Sequence, residues 1–331
     1  MRFIKNLFLA TVAILLWIAG WGLWFALHPL QFSADRLDFS ITPGAGLRQA
    51  SQQMAEAGLG FSPWQFTLLA RALGKAAEIK AGSYEVSRGI SPWGVLEKLT
   101  RGDFTQGEIT FIEGKTFRYY RTQLDQHPDL QHDTVGMADA EILSHLGAPE
   151  PHPEGLFFPD TYLFAKKTSD LDVLRRAYQT MRLHLAREWM QRNPAVPLTT
   201  PYEALIMASI VEKETGRAAD RDAISAVFAN RLRVRMLLQT DPTVIYGLGP
   251  EYDGNLRKRD LLTDTPYNTY TRAGLPPTPI AMPSLASLRA ALHPADNAML
   301  YFVARGDGSS EFSRNLDEHN RAVNKYQRGN K

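Results

Sequence analysis

From Leu7 to Leu27 the chain carries no charged residue. At about 1.5 Å per helical residue the run is ~30 Å long, enough to cross the hydrocarbon core of a membrane, so it is read as one transmembrane helix. Arg2 and Lys5 precede it and His28 with Pro29 follow it. Positive residues mark the cytoplasmic flank, which puts the N-terminus in the cytoplasm and the bulk of the chain outside. Bulky Trp17, Trp21, Trp24 and Phe25 fill the distal half, where a cleaved signal peptide needs small residues, so the run reads as an uncleaved anchor. The three tryptophans form a stripe. Interfacial anchoring explains Trp24 and Trp21, and a partner helix is the alternative.

The rest of the 331 residues, with 44% hydrophobic content, suffices for two domains or one large one. A net charge of +2, from 37 basic and 35 acidic residues, offers no excess for nucleic acid. The absence of cysteine removes thiol nucleophiles, disulfides and thiolate metal sites. After a stem to about Arg36, strand, helix, helix, strand and helix are expected at Leu37–Ile41, Leu47–Ala57, Pro63–Leu73, Gly82–Val86 and Pro92–Thr100. This small unit has no catalytic constellation. Tyr84 and Trp93 are core aromatics or, less simply, a stacking surface. Next, Glu108–Ile112 reads as a strand leading into Glu113-Gly114-Lys115-Thr116. A phosphate loop needs glycine at position 109, which is Ile, so nucleotide binding is rejected. A helix starts at Phe117, and another is expected over Asp172–Gln191. The broken stretch Glu154–Tyr162 either packs under that second helix or lines a cleft with Asp160 and Tyr162.

The chemistry is read into Ala208–Gly216. Over Glu203–Thr215 a helical projection gathers Ala204, Met207, Ala208, Ile210, Val211 and Thr215 on one side, and Glu214 falls among them. Glu212, Lys213 and Ser209 fall on the other, where solvated charge is expected. Desolvation and the negative helix end, before an expected Gly216 cap, both favour a protonated Glu214, as a general acid requires. An ion pair with Arg217 or Arg221 is the structural alternative. A further helix is expected over Asp222–Arg235. Beyond it, Leu237–Gly247 reads as a shaped loop with Gln239, Asp241, Thr243 and Tyr246 facing a cleft, and Tyr267-Asn268-Thr269-Tyr270 adds aromatic and amide groups suited to carbohydrate. A hairpin from Leu300 and a polar helix over Leu316–Gln327 follow. There is no Gly-x-Ser-x-Gly, no His-Glu-x-x-His and no dinucleotide glycine motif. Carboxylate acid–base work remains, either by Glu214 with Asp241 as a glycosidase pair or by one carboxyl alone.

The runs Ala208-Ser209-Ile210-Val211-Glu212-Lys213-Glu214-Thr215, Asn230-Arg231-Leu232, Leu238–Tyr246, Tyr267–Tyr270, Gly274-Leu275-Pro276-Pro277 and Phe312–Asn320 together resemble the YceG-like endolytic murein transglycosylases, the MltG family. The resemblance covers nearly the whole chain. It implies an α+β protein with a single N-terminal transmembrane helix, a LysM-like module over 38–104 and a larger mixed α/β catalytic domain over 105–328 with the acid at a helix C-terminus. The cytoplasmic N-terminus would be 1–6, the membrane helix 7–27 and the stem 28–37. Glu214 corresponds to the catalytic acid, and Gln239, Asp241, Tyr246, Tyr267 and Asn268 to cleft positions. The implied reaction is non-hydrolytic cleavage between N-acetylmuramic acid and N-acetylglucosamine within peptidoglycan strands, leaving a 1,6-anhydro end, without metal or cofactor. The implied location is the periplasmic face of the inner membrane, with penicillin-binding synthases as possible partners. A two-carboxylate muramidase and a glycan-binding scaffold are the rival readings. Thr278 and Ser284 stand where the family pattern leads one to expect glycine.

Overall fold

The computed structural model describes residues 2–32 and 34–328. The side chain of Arg2, used above for orientation, and Ser33 of the stem lie outside what is described. The chain forms two compact units, one running to Gly107 with Leu163–Lys167, the other comprising Glu108–Tyr162 and the residues from Thr168 onward.

The first unit opens with helix α1 (Arg2–Leu27), whose Ile4–Leu27 part has a mean hydropathy of 2.0 and is long and apolar enough to cross a membrane. Most of it is exposed, but Phe25 and Ala26 are buried, and Trp21 stacks on Trp64 at 5.6 Å. One tryptophan of the stripe therefore has its partner within the same chain. Strands β1 (Arg36–Ile41) and β2 (Gly82–Ser87) pair antiparallel, with helices α2 (Leu47–Glu56) and α3 (Pro63–Ala72) between them and α4 (Pro92–Arg101) after them. Ser91 caps α4 by accepting from Gly94 N–H, and Pro92 occupies its first turn. Phe39, Met54, Phe66, Tyr84, Val95 and Leu99 close one core. Tyr84 is wholly buried and its hydroxyl donates to Lys80 O (2.7 Å), so it is a core residue.

The later elements are β3 (Gln106–Thr110), α5 (Phe117–Gln126), β4 (Leu130–Gln131), α6 (Asp139–Leu146), β5 (Thr161–Ala165), β6 (Thr168–Ser169) and α7 (Asp170–Met190). They continue with α8 (Pro201–Glu214), α9 (Ala218–Arg233), α10 (Asp241–Leu248), α11 (Lys258–Leu262), α12 (Leu285–Leu292), the hairpin β7 (Tyr301–Ala304) with β8 (Ser310–Ser313), and α13 (Leu316–Val323). The fold is thus mixed α/β.

Helix α8 is the hub of the second unit, packed by α7, α9, α10 and α12. Thr200 caps it and Pro201 opens it. Every residue from Ala204 to Val211 is buried, including Leu205, Ile206 and Ser209. The expected contrast between an apolar and a polar side is therefore absent: a helix surrounded by other helices is apolar all round. Ser209 meets this by donating to Ile206 O (2.7 Å) and accepting from Ile280 N–H (3.0 Å). Glu212 is half-buried, not solvated. It accepts from Ser284 N–H (2.9 Å), Ser284 Oγ (2.5 Å) and Ser287 Oγ (2.6 Å), which ties α8 to the first turn of α12. Ser284, where glycine was expected, is the cap of α12.

Two further expectations change. Asp241–Leu248 is helix α10, not loop, because Pro242 sits in the first turn, where a proline opens a helix at no hydrogen-bond cost. Gly216 does not cap α8, since Thr215 ends it in extended conformation. Glu113-Gly114-Lys115-Thr116 is a turn with Gly114 at φ 70°, pinned by Gly114 N–H to Met282 O (2.8 Å), and Thr116 caps α5.

Candidate active site

Glu214 ends α8, where the carbonyl dipoles converge and disfavour negative charge. The residue is half-buried, its carboxyl Oε1 is held by the Thr240 hydroxyl, and burial raises its pKa. Against that stands the Thr240 hydroxyl, which donates to Glu214 Oε1 and favours the carboxylate. Asp241 nearby raises the pKa further and the Arg231 charge lowers it, with a net upward shift. Among the described residues neither Arg217 nor Arg221 forms an ion pair with Glu214, so the structural alternative finds no support.

The Thr240 hydroxyl is itself fixed. Thr240 N–H donates to Thr269 Oγ1 (3.1 Å), Thr243 Oγ1 donates to Thr240 O (2.8 Å), and the Thr243 and Thr269 hydroxyls meet at 2.9 Å. Gln239 N–H reaches Thr269 O (3.1 Å) with Gln239 at φ 49°, a left-handed conformation that costs a non-glycine residue about 1–2 kcal/mol. The strain sits one residue before the hydroxyl that contacts the acid. Buried Arg231 of α9 completes the frame: Nε donates to Leu300 O (2.7 Å) and Nη1 to Leu238 O (2.6 Å), while its guanidinium lies 5.3 Å from the Tyr301 ring.

The other residues singled out in the sequence fall into three groups. Gln239 and Asp241 are exposed beside Thr240, and Asp241 Oδ1 accepts from the Tyr270 hydroxyl (2.5 Å). Tyr246 and Tyr267 meet edge-on at 5.0 Å and line a cleft of about 1140 Å³. That cleft is also walled by Phe117, Arg121, Glu154, Lys213 and Pro242. Lys213 and Pro242 are the sequence neighbours of Glu214 and Asp241, although those two carboxylates are not on its wall. Asn268 is the exception. It is wholly buried, and its Nδ2 donates to Asp260 O, Leu261 O and Thr263 O at 2.7–3.3 Å, so it holds the C-terminal end of α11 and does not face a ligand.

In the sequence Glu154 stands out only as the start of a broken stretch. It is 2% exposed and accepts from Phe117 N–H (3.0 Å) and the Tyr246 hydroxyl (3.2 Å), while burial lifts its pKa to about 8. Gly155 sets it there: at φ 81°, a Cβ on Gly155 would come within 2.5 Å of Pro279 Cβ. Tyr162 turns inward, with its hydroxyl on Phe158 O (2.7 Å), and Phe157 stacks on Phe117 at 5.0 Å and tilts against Tyr178 of α7 at 6.3 Å. The stretch therefore packs under α7, as the simpler reading held, apart from its glutamate. Thr240, Arg231 and Tyr270 were missed as parts of the acid's surroundings. The one available signal was the short spacing of Thr240 from Gln239 and Asp241.

With this geometry in view, the sequence profile of the YceG-like family matches residues 39–325. The chain belongs to the YceG-like family. An endolytic murein transglycosylase of Bacillus subtilis is 34% identical over 271 residues, spanning 76% of this chain and 74% of that protein. One of Streptococcus pneumoniae is 26% identical, covering 90% of this chain and 60% of its own length. A crystal structure of a yceG-like protein from Listeria monocytogenes superposes with a TM-score of 0.56 at 28% identity, over 87% of this chain and 99% of that one.

Proposed function

We propose that this YceG-like chain is a membrane-anchored endolytic lytic transglycosylase, a lyase that cuts the β-1,4 bond between N-acetylmuramic acid and N-acetylglucosamine inside peptidoglycan strands. The observation that carries the mechanism is the half-buried Glu214 at the end of α8, pushed toward its acid form by burial and met by the Thr240 hydroxyl. Glu214 gives its proton to the glycosidic oxygen as the C1–O bond breaks, releasing the glucosamine 4-hydroxyl. The resulting carboxylate takes the proton of the muramyl C6 hydroxyl as that oxygen closes on C1. Glu214 ends protonated, no water is consumed, and the product is a 1,6-anhydro end. One group that serves as acid and then base needs both protonation states within reach. Burial and Asp241 favour the acid, while Thr240 and Arg231 favour the base.

The nearness of Asp241 to Glu214 is the observation behind a second reading, a muramidase in which Asp241 activates water and leaves a reducing end. Mass spectrometry of digested strands separates the two, since the anhydro product is lighter by one water. Glu214→Gln should lower cleavage on the order of 100- to 10,000-fold. Full cleavage by that variant would discard the single-acid mechanism, and no product from the wild-type protein would favour a binding scaffold.

In this reading residues 7–27 anchor the protein with its N-terminus in the cytoplasm, 38–104 form a LysM-like module, and 105–328 form the catalytic domain beside newly made strands. Strand termination next to penicillin-binding synthases is the corresponding role. Reporter fusions at both ends of α1 test the orientation.

A further inference from the structure

The cleft wall carries a carboxyl, Glu154, that the proposed reaction does not use. Its neighbours are unequal. Phe117 N–H, 3.0 Å from Oε1, and the Gly155 N–H can only donate. Tyr246 Oη, 3.2 Å from Oε2, can donate or accept. Beside an ionised Glu154, Tyr246 must turn its single proton inward. Beside a protonated Glu154, Oε2–H donates to Tyr246 Oη and the phenolic proton faces away. The nearby Thr278 hydroxyl already donates to Pro279 O (2.8 Å) and engages the Tyr267 hydroxyl (2.9 Å). The Tyr246 proton is then released from Glu154 and can turn to Thr278, which also contacts Tyr246, or to an oxygen in the cleft.

The surroundings favour the protonated state. Tyr120 on α5, Tyr202 on α8 and Tyr246 on α10 have phenol pKa values raised by burial, so all three are neutral. Tyr267 stands edge-on to Tyr246. Asp139, on α6, opposes ionisation of Glu154. His152 accepts from Glu154 N–H at Nδ1 (3.2 Å), and burial lowers its pKa, so it supplies no positive charge. Of the cations on the cleft wall, Arg121 pairs with Asp139 (3.4 Å), Lys213 donates to Gly114 O (3.2 Å) and Arg118 lies exposed to solvent.

We propose that Glu154 is a positioning residue, held as a neutral carboxylic acid that donates to Tyr246 Oη and so presents the Tyr246 O–H to an acceptor oxygen of the glycan, such as an acetamido carbonyl. It rests on the reading of the cleft as a glycan site.

Glutamine reproduces the protonated acid: its carbonyl accepts from Phe117 N–H and its amide donates to Tyr246. On soluble glycan strands, Glu154→Gln is expected to keep KM within about threefold of wild type at neutral pH and to hold it there to about pH 9. Wild-type KM should rise about tenfold as Glu154 ionises above about pH 8. Glu154→Ala and Tyr246→Phe should each raise KM about tenfold at neutral pH, with a smaller change in kcat. A Glu154→Gln variant as impaired as Glu154→Ala, or one with the wild-type alkaline rise, would overturn the proposal. A second measurement needs no turnover. In protein carrying 13C at the glutamate side-chain carboxyls, one resonance absent from Glu154→Gln should titrate near pH 8, and titration in the ordinary carboxylate range would refute it. If wild type cleaved no glycan, the transglycosylase reading would fail while this titration still decided the state of Glu154.

Discussion

The last turn of α8 and the wall of the cleft each hold a carboxyl that burial pushes toward its acid form, yet only one has a positive charge acting on it to favour the carboxylate. Around Glu214 there is a hydroxyl that donates to the carboxylate and a guanidinium whose charge favours it. Glu154 has two main-chain donors, from Phe117 and Gly155, and a phenol, and the charged group acting on it is another acid, Asp139. A raised pKa alone therefore does not identify a catalyst. What would receive the carboxylate once the proton has gone decides whether the group can cycle. Glu212 shows the opposite outcome within the same turn as Glu214, since three donors from Ser284 and Ser287 commit it to joining two helices.

The contrast can be tested from its strongest consequence downward. Between about pH 4.5 and about 8 the folded protein keeps the Glu154 proton that the unfolded chain has lost. Fewer protons are bound in the unfolded state, so Glu154 makes stability fall as pH rises through that window, by several kcal/mol in all. Denaturant unfolding across pH should show a shallower fall in Glu154→Gln, and parallel curves would contradict the burial argument. Next, Glu212→Ala strands the Ser284 N–H and two hydroxyls. It should lower unfolding free energy by about 3 kcal/mol while the folded fraction still cleaves glycan. A loss of turnover without a loss of stability would mean that Glu212, not Glu214, is the working acid. Removing the donor with Thr240→Val should cost about 2 kcal/mol of transition-state stabilisation, roughly thirtyfold in kcat, with thermal stability less affected. The smallest effect is expected from Asp241→Asn. It removes the charge that opposes ionisation of Glu214, so the alkaline limb of the rate–pH curve should move to lower pH with little loss at its maximum. A large loss at the maximum would instead favour the two-carboxylate muramidase.

Much of this was legible because it is local. The strands and helices of the first unit follow from apolar periodicity and the Ser91-Pro92 start signal, and they end within a residue or two of where the pattern places them. Glu214 stood out because an acid among Ala204, Met207 and Val211 breaks a helical pattern. Where the sequence misled, the deciding partner was distant. Glu212 looks solvated until Ser284 and Ser287, more than 70 positions on, come against it. Asn268 looks like a carbohydrate amide, but the end of α11, from Asp260 to Thr263, packs onto it. Glu154 meets Phe117 and Tyr246, 37 and 92 positions away, and no spacing rule connects them. Asp241-Pro242 was ambiguous even locally, since the same pair that suits a turn also begins a helix.

The central claim is that one carboxyl, Glu214, is both acid and base in a cleavage that consumes no water. The most direct measurement is mass spectrometry of glycan strands treated with the purified full-length protein and with Glu214→Gln. The account predicts internal cleavage by the wild type with 1,6-anhydro ends, and almost none by the variant. Reducing ends from the wild type, or undiminished cleavage by Glu214→Gln, would contradict it.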